Sequence, residues 1–321
     1  MRVLLTGAFG NIGQHTLREL LAAGHRVRCF DVDSPSNRAA AARHGNVLEL
    51  HWGDIRDRQA LARAVSGQEA VVHDAALIPP ASEEDAERTR SVNVDGTRVL
   101  IACCEAQAPR PRLVFASSIS VFGTTQDLPP PRTLDDPIAP CDVYSASKAE
   151  CEERIRGSGL EWVILRFAGA APLGLDFRRA LGAAAFLRLD PHNRFEFLHP
   201  ADAGLAQARA VDAQGLRNAV LLVGGGPRCQ VRLRDLMGAI TEAMGLGRLP
   251  DQAFGRDPYY TDWIDTRESQ ARLGYQRHDL RDYQREVERS LRLVRPLLIP
   301  YGPLVRRLAA TPLWGALRPR G

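Results

Sequence analysis

Residues 6–13 read TGAFGNIG and stand between the apolar run Val3-Leu4-Leu5 and an amphipathic stretch that reaches Ala23. A chain that turns from a strand straight into a helix needs residues without a Cβ at the bend, and Gly7, Gly10 and Gly13 supply them. Such a loop, here also containing Phe9, Asn11 and Ile12, lets helix-start N–H groups approach a pyrophosphate, where the helix dipole favours negative charge. The spacing is G-x-x-G-x-x-G, shifted from the G-x-G-x-x-G form of dinucleotide-binding βαβ units. A plain glycine turn is the bland alternative, and the position at the head of a βαβ pattern argues against it. Asp31 follows the second apolar run, eighteen residues after Gly13. A carboxylate there accepts from the adenine ribose hydroxyls and repels a 2′-phosphate, which favours NAD over NADP. Asp33 competes for that role, and Arg28 or Arg38 would favour NADP if either folded over the ribose.

Short Val- and Leu-rich runs then alternate with longer amphipathic stretches, the pattern of a parallel sheet wrapped by helices. Candidate strands are Arg2 to Leu5, Arg26 to Phe30, Val47 to His51, Ala70 to His73, Arg112 to Ala116, Trp162 to Arg166 and Ala219 to Val223. Helices are expected from near Asn11, Asp57, Val92 and Val143. The proline-rich stretch from Leu128 to Pro140 is read as a loop, because proline lacks a backbone donor and fixes φ. The expected fold is α/β, a Rossmann-type doubly wound parallel sheet with a smaller C-terminal substrate-binding lobe. Residues 1–165 form the dinucleotide-binding part with 195–223 returning to it, 166–194 and 224–290 form the lobe, and 291–321 form a basic, apolar tail.

With 45% hydrophobic and 25% charged residues, the chain is neither disordered nor fibrous. Its net charge of +4 gathers at the end, where Arg292, Arg295, Arg306, Arg307, Arg318 and Arg320 meet no acid. The near-neutral body carries no footprint for nucleic acid. The six cysteines form no C-x-x-C pair and have no histidine at zinc-finger spacing, so no metal is expected. An apolar strand directly after Met1 and the lack of a long apolar run point to a cytoplasmic setting.

Tyr144 and Lys148 are four residues apart, which places them on one face of a helix. A phenol titrates near ~10, so proton exchange around neutral pH needs a positive neighbour, and Lys148 is that neighbour. Lys148 can also donate to a nicotinamide ribose. Ser118 lies at the end of the fifth strand, where open α/β sheets bind ligands, and its hydroxyl can hold a substrate oxygen. A surface helix with an exposed tyrosine and a solvated lysine is the bland alternative. His73 and His199 are read as packing residues.

The order of these motifs resembles that of the extended short-chain dehydrogenase/reductase family, the NAD-dependent epimerase/dehydratase family. The resemblance rests on TGAFGNIG, Gly53-Asp54-Ile55, His73-Asp74-Ala75-Ala76, Asn93-Val94-Asp95-Gly96-Thr97, Ser117-Ser118-Ile119-Ser120-Val121-Phe122-Gly123 and Tyr144-Ser145-Ala146-Ser147-Lys148. It implies bound NAD, cofactor contacts from Asp54, Ile55, Ala75, Ala76 and Asn93, and a homodimer. Asp54 equally suits a helix N-cap, and Asn93 a backbone brace. The family's active-site serine stands three residues before the valine of its V-Y-G run, which selects Ser118 over Ser117. A 4,6-dehydratase is disfavoured, since Ile119 and Ser120 replace the usual Asp-Glu pair.

Two activities stay open: a simple dehydrogenase or reductase of a secondary alcohol or ketone, and a sugar-nucleotide epimerase with tightly held NAD. Many of those epimerases carry asparagine where this chain has Gly169, three residues after Arg166. A non-catalytic NAD(H)-binding regulator is a third reading, which Ser118, Tyr144 and Lys148 oppose. The tail is expected to dock on the chain's own second lobe or to form an oligomer contact, and could instead contact an anionic bilayer, although Pro296, Pro300, Pro303 and Pro312 are expected to interrupt its helix.

Overall fold

The computed structural model describes residues 1–45, 48–172 and 186–311. Each apolar run expected as a strand lies in one seven-stranded sheet, and all of its pairings are parallel. In chain order the strands are β1 (Arg2–Thr6), β2 (Arg26–Asp31), β3 (Glu49–Trp52), β4 (Ala70–His73), β5 (Arg112–Ser118) and β6 (Trp162–Phe167), followed by β8 (Ala219–Val223). A short β7 (Arg194–Glu196) pairs antiparallel with β9 (Gln230–Arg232) in a separate two-stranded sheet. The main sheet runs β3-β2-β1-β4-β5-β6-β8, so the order reverses between β1 and β4, the crevice at which open α/β sheets take ligands. The third strand starts at Glu49 instead of Val47, and Val47 itself lies outside the described residues.

Side chains alternate across the sheet with the period of two that a strand imposes. Val3, Leu5, Val72, Val114 and Val163 enter one buried layer with helices α1 (Gly13–Ala22) and α6 (Pro200–Asp212). Leu4, Val71, Leu113, Phe115 and Ile164 enter the other, against α3 (Arg58–Val65), α4 (Gly96–Glu105) and α5 (Val143–Arg156). Helix α2 (Pro35–Ala42) follows β2, and two single-turn helices, Ala81–Glu84 and Ala86–Thr89, follow β4. The helix expected near Val92 is a π-helical segment, Arg90–Asp95, that runs into α4. A third cluster, including Phe195, Phe197, Leu236, Met237 and Tyr283, joins the small sheet to α7 (Leu233–Ala243) and α8 (Leu280–Ser290).

The tail is divided at its prolines, as expected, into segments of four, three and eight residues. Pro296, Pro300 and Pro303 each stand in the first turn of the next short helix, where a missing N–H costs nothing. Segments Arg295–Leu298, Ile299–Tyr301 and α9 (Gly302–Ala309) therefore follow one another as a nearly continuous helical path. Pro312 lies outside the described residues.

Helices α1 and α6 meet closely at Gly204 of α6, where an added Cβ would lie 2.5 Å from Thr16 N and 2.6 Å from His15 C of α1. Those neighbours are backbone and cannot swing aside. Gly204→Val is expected to cost about 1–3 kcal/mol through forced separation of the helices. A thermal denaturation midpoint within about a degree of the parent would contradict this tight crossing.

Candidate functional site

The bend after β1 is built by Gly7, with φ 69°, whose N–H donates to Phe30 O at 2.9 Å. A Cβ on Gly7 would lie 2.7 Å from Ala75 N, and one on Gly13 would lie 2.1 Å from Gly7 O. The opposite side is open: Gly10 is exposed, and Asn11 and Ile12 are half-buried at the start of α1. This cradle fits a dinucleotide pyrophosphate, because backbone donors and the positive helix end face a space that no side chain fills. Asn11 Nδ2 donates to Ala170 O at 3.1 Å and ties the loop to the chain leaving β6.

Asp31 closes this cradle from β2. Its Oδ2 accepts from Phe9 N at 2.9 Å, and its Oδ1 accepts from Val32 N at 2.8 Å and Asn37 Nδ2 at 3.1 Å. Burial raises its pKa, against the pull of the two backbone donors. Asp33 is turned away into a bidentate pair with Arg38, at 2.6 and 2.7 Å. Arg28 is held by Glu49 at 2.7 Å and by the carbonyls of Ala64 at 2.7 Å and Ser66 at 2.8 Å, so it does not reach the loop. Arg38 lies 5.6 Å from the Trp52 ring, which lies 5.6 Å from the Phe9 ring.

Asp54 is not a helix cap: Asp57 caps α3 by accepting from Gln59 N and Ala60 N, while Asp54 binds Arg56 at 2.6 and 2.8 Å. Those bonds hold the Asp54 carboxyl below its ordinary range. Ile55 is buried against Gly96, where a Cβ would approach its Cγ2 to 2.5 Å. Ala75 and Ala76 line the half-buried turn after β4, and Ala75 N donates to Thr6 Oγ1 at 3.3 Å. Asn93 braces that turn: its Oδ1 accepts from Leu77 N at 2.7 Å, and its Nδ2 donates to Leu77 O and Ser147 Oγ, both at 3.0 Å.

Helix α5 starts at an Asp142/Ser145 capping box, and Glu83 accepts from Val143 N and Tyr144 N at 3.0 and 3.1 Å. The half-buried Tyr144 and buried Lys148 share one face with Glu152. Lys148 Nζ donates to Ala116 O of β5 at 2.6 Å and lies 4.8 Å from the Phe115 ring and 5.7 Å from the Tyr144 ring. Burial lowers the Lys148 pKa, while Cys151, Asp74 and Glu152 pull it up. Burial raises the Tyr144 pKa well above that of a free phenol, opposed by a hydrogen bond with Ser118. Desolvation dominates the Tyr144 phenol, and the Lys148 ammonium is directed at Ala116 O.

The two serines at the end of β5 divide their work. Ser117 donates to Glu152 Oε1 at 2.6 Å, and Glu152 is held by Arg166 at 2.9 and 2.8 Å in a buried network. Ser118 Oγ accepts from Ser120 N at 3.1 Å and Ser120 Oγ at 2.9 Å and stands beside Tyr144. Glu152 was not foreseen, although its position four residues beyond Lys148 continues the Tyr144-Lys148 spacing.

On the far side of Tyr144 the site is aromatic. Tyr259 adds to the rise in the Tyr144 pKa, and the Phe186 ring is 5.6 Å from Tyr259 and 6.4 Å from Phe195. Phe195 fills the space at Gly169: a Cβ there would lie 2.2 Å from its Cζ. His73 is a packing residue, bonded to Thr6 Oγ1 at 2.7 Å and Thr97 Oγ1 at 2.9 Å, with its pKa pushed down to about 3 by burial. His199 caps α6 and stacks on His278 at 4.4 Å. No group of acidic, histidine or cysteine side chains among the described residues could hold a metal ion.

Two acids flank the site, the half-buried Asp74 and the buried Glu196. Asp74 accepts a bond from Gln207 and has a second oxygen shielded from water with no partner, and burial raises its pKa to about 7. Glu196 accepts from Gly226 N at 2.9 Å and is raised to about 8, again by burial. Between the unfolded value of 3.8 and the folded value of about 7, native Asp74 holds a proton that the unfolded chain has lost. Its contribution to stability is therefore full below the lower value and is lost as pH rises through the window. The melting-temperature difference, Asp74→Asn minus wild type, is expected to become more positive from about pH 4 to pH 7 in cofactor-free protein. A difference that stays flat would contradict a protonated Asp74.

A family model described as NAD dependent epimerase/dehydratase family matches residues 3–170. The chain is 32% identical over 240 residues to sterol demethylase protein B of Methylococcus capsulatus, covering 70% of each protein. It is 35% identical over 192 residues to UDP-glucose 4-epimerase 4 of Oryza sativa subsp. japonica, covering 54% of this chain and 51% of that one. The chain thus spans about half the length of that epimerase. The dTDP-glucose 4,6-dehydratase of Streptomyces venezuelae, solved with NAD bound, superposes with a TM-score of 0.77 at 27% identity, over 94% of this chain and 99% of that one.

Proposed function

We propose that this chain, which belongs to the NAD-dependent epimerase/dehydratase family, transfers a hydride between NAD and a secondary alcohol or ketone carbon on a substrate with an apolar body. The glycine cradle from Gly7 to Gly13 would hold the pyrophosphate, Asp31 the adenine ribose, and the Asp54-Ile55 and Ala75-Ala76 segments the walls around the cofactor. When bound, NAD accepts or supplies the hydride. Ser118 holds the substrate oxygen, and Tyr144, kept protonated by burial, gives that oxygen its proton in the reductive direction. In the oxidative direction Tyr144 must take the proton back, and the charge of Lys148 on the same helix face favours this. Asn93 positions the pair by tying the turn after β4 to α5.

The observation that carries the apolar substrate is the Phe195 ring in the space at Gly169. A nucleotide diphosphate needs donors, and that corner is filled by the buried Phe195 ring, with the half-buried rings of Phe186 and Tyr259 beyond it. A relative named for work on sterols, matched over 70% of its length, agrees with this reading. The segment Ile119-Ser120 after Ser118 is buried and carries no acid, which speaks against dehydration. The second reading, a sugar-nucleotide epimerase, is favoured by a relative and a solved structure named for nucleotide sugars. Mass spectrometry of the purified protein separates the two. Exchangeable cofactor supports the dehydrogenase, and stoichiometric NAD that survives dialysis supports the epimerase.

Tyr144→Phe is expected to lower turnover by at least about 100-fold while leaving NAD affinity within a few-fold, since only the transferable proton is lost. Turnover near wild type would remove Tyr144 from the chemistry. Wild-type protein is expected to bind NAD(H) more tightly than NADP(H) in calorimetric titration, and Asp31→Ala to narrow the gap. A wild-type preference for NADP(H) would assign the ribose pocket to Arg38 instead.

A further inference from the structure

The last described segment has two unlike faces. Leu291, Gly302 and Ala309 are buried. Arg295 Nε donates to Ala243 O at 3.1 Å, and Arg306 donates to Leu246 O. These contacts lay the helical path from Arg295 to Ala309 against the smaller lobe. The outward face carries Leu293, Leu297, Tyr301, Leu304 and Leu308, exposed by 81%, 69%, 60%, 55% and 42%. Leu297, Tyr301, Leu304 and Leu308, spaced four, three and four residues apart, lie in one stripe along this path, and Leu293 stands in the turn just before it. Such a run of large exposed apolar side chains marks a contact surface, since soluble proteins rarely leave one open.

The charge around the stripe selects the partner. From Leu291 to Thr311 there is no acidic residue, and Arg292 and Arg307 are exposed beside the stripe. A second copy of the chain would bring this patch onto itself, because a two-fold contact is self-complementary, and would set arginine against arginine. An anionic bilayer surface accepts leucines below its headgroups and pairs the arginines with lipid phosphates. We propose that the stripe Leu297-Tyr301-Leu304-Leu308, with Leu293, Arg292 and Arg307, docks the protein on anionic membrane surfaces. No helix among the described residues is long and apolar enough to cross a membrane, so the contact is peripheral. The proposal does not depend on the reading of the catalytic site.

The test is co-sedimentation of the full chain with phosphatidylcholine vesicles, with and without phosphatidylglycerol, at low and high salt. Wild type is expected to pellet with the phosphatidylglycerol vesicles, less at high salt, and to stay in solution with phosphatidylcholine alone. Leu297→Glu/Leu304→Glu is expected to reduce partition on the order of tenfold or more, because two exposed apolar anchors are lost. Arg292→Glu/Arg307→Glu, which leaves every leucine in place, is expected to remove the dependence on anionic lipid. Circular dichroism shows whether each variant is folded, and the arginine pair decides if the leucine pair is not. Equal partition of wild type with both vesicle types would overturn the proposal. So would a solution dimer that the leucine pair abolishes, because a second copy would then cover the stripe.

Discussion

At Gly7 the turn after β1 passes so close to the turn after β4 that a single methyl group would collide with the backbone of Ala75. Gly13 closes the same point from the helix side, against Gly7 O. Three chain segments therefore meet at the switch point of the sheet with only backbone between them. The consequences spread outward: Asp31 is drawn onto Phe9 N, Asn93 holds the β4 turn against α5, and Asn11 reaches Ala170 beyond β6. The open side of the glycine loop and the face of α5 that carries Tyr144 and Lys148 are thus set by one crowded junction. A side chain at Gly7 or Gly13 would disturb both.

Behind the site, charge is handled by burial. Glu152 gathers Ser117 and Arg166, with Arg156 also within reach, so the carboxylate inside α5 has charged partners. Lys148 is held between Ala116 O and the Phe115 ring, a position that keeps its long side chain extended along β5. Tyr144 is left with Ser118 as its polar neighbour and aromatic rings beyond it. A phenol in that setting keeps its proton through the neutral range.

Much of this was legible in the sequence because the signals were local. Each strand of the main sheet is a short apolar run bounded by breakers, and the strand ends were misplaced by only one or two residues, as at Ser118 and Phe167. Tyr144 and Lys148 announced themselves by helical spacing. Contacts between distant segments were hidden. No pattern in the sequence says that Phe195 fills the space at Gly169, that Gln207 reaches Asp74, or that Asp54 turns to Arg56 while Asp57 takes the cap. The tail prolines interrupt the helix as expected, and only their place in the first turn of each following segment was hidden. Proline is a breaker inside a helix and a good starter in its first turn, and the choice depends on where the lobe fixes each turn.

We propose that this junction presents a hydride carrier to a carbon whose oxygen lies between Ser118 and Tyr144, in apolar surroundings. The most direct test uses NADH carrying deuterium at the transferable nicotinamide position, mixed with a series of apolar ketones and followed by mass spectrometry. The expected product is an alcohol with deuterium on the former carbonyl carbon, formed together with NAD. The proposal would be contradicted if no ketone in the series acquired deuterium while a nucleotide sugar was inverted by the same protein with retained, unlabelled NAD.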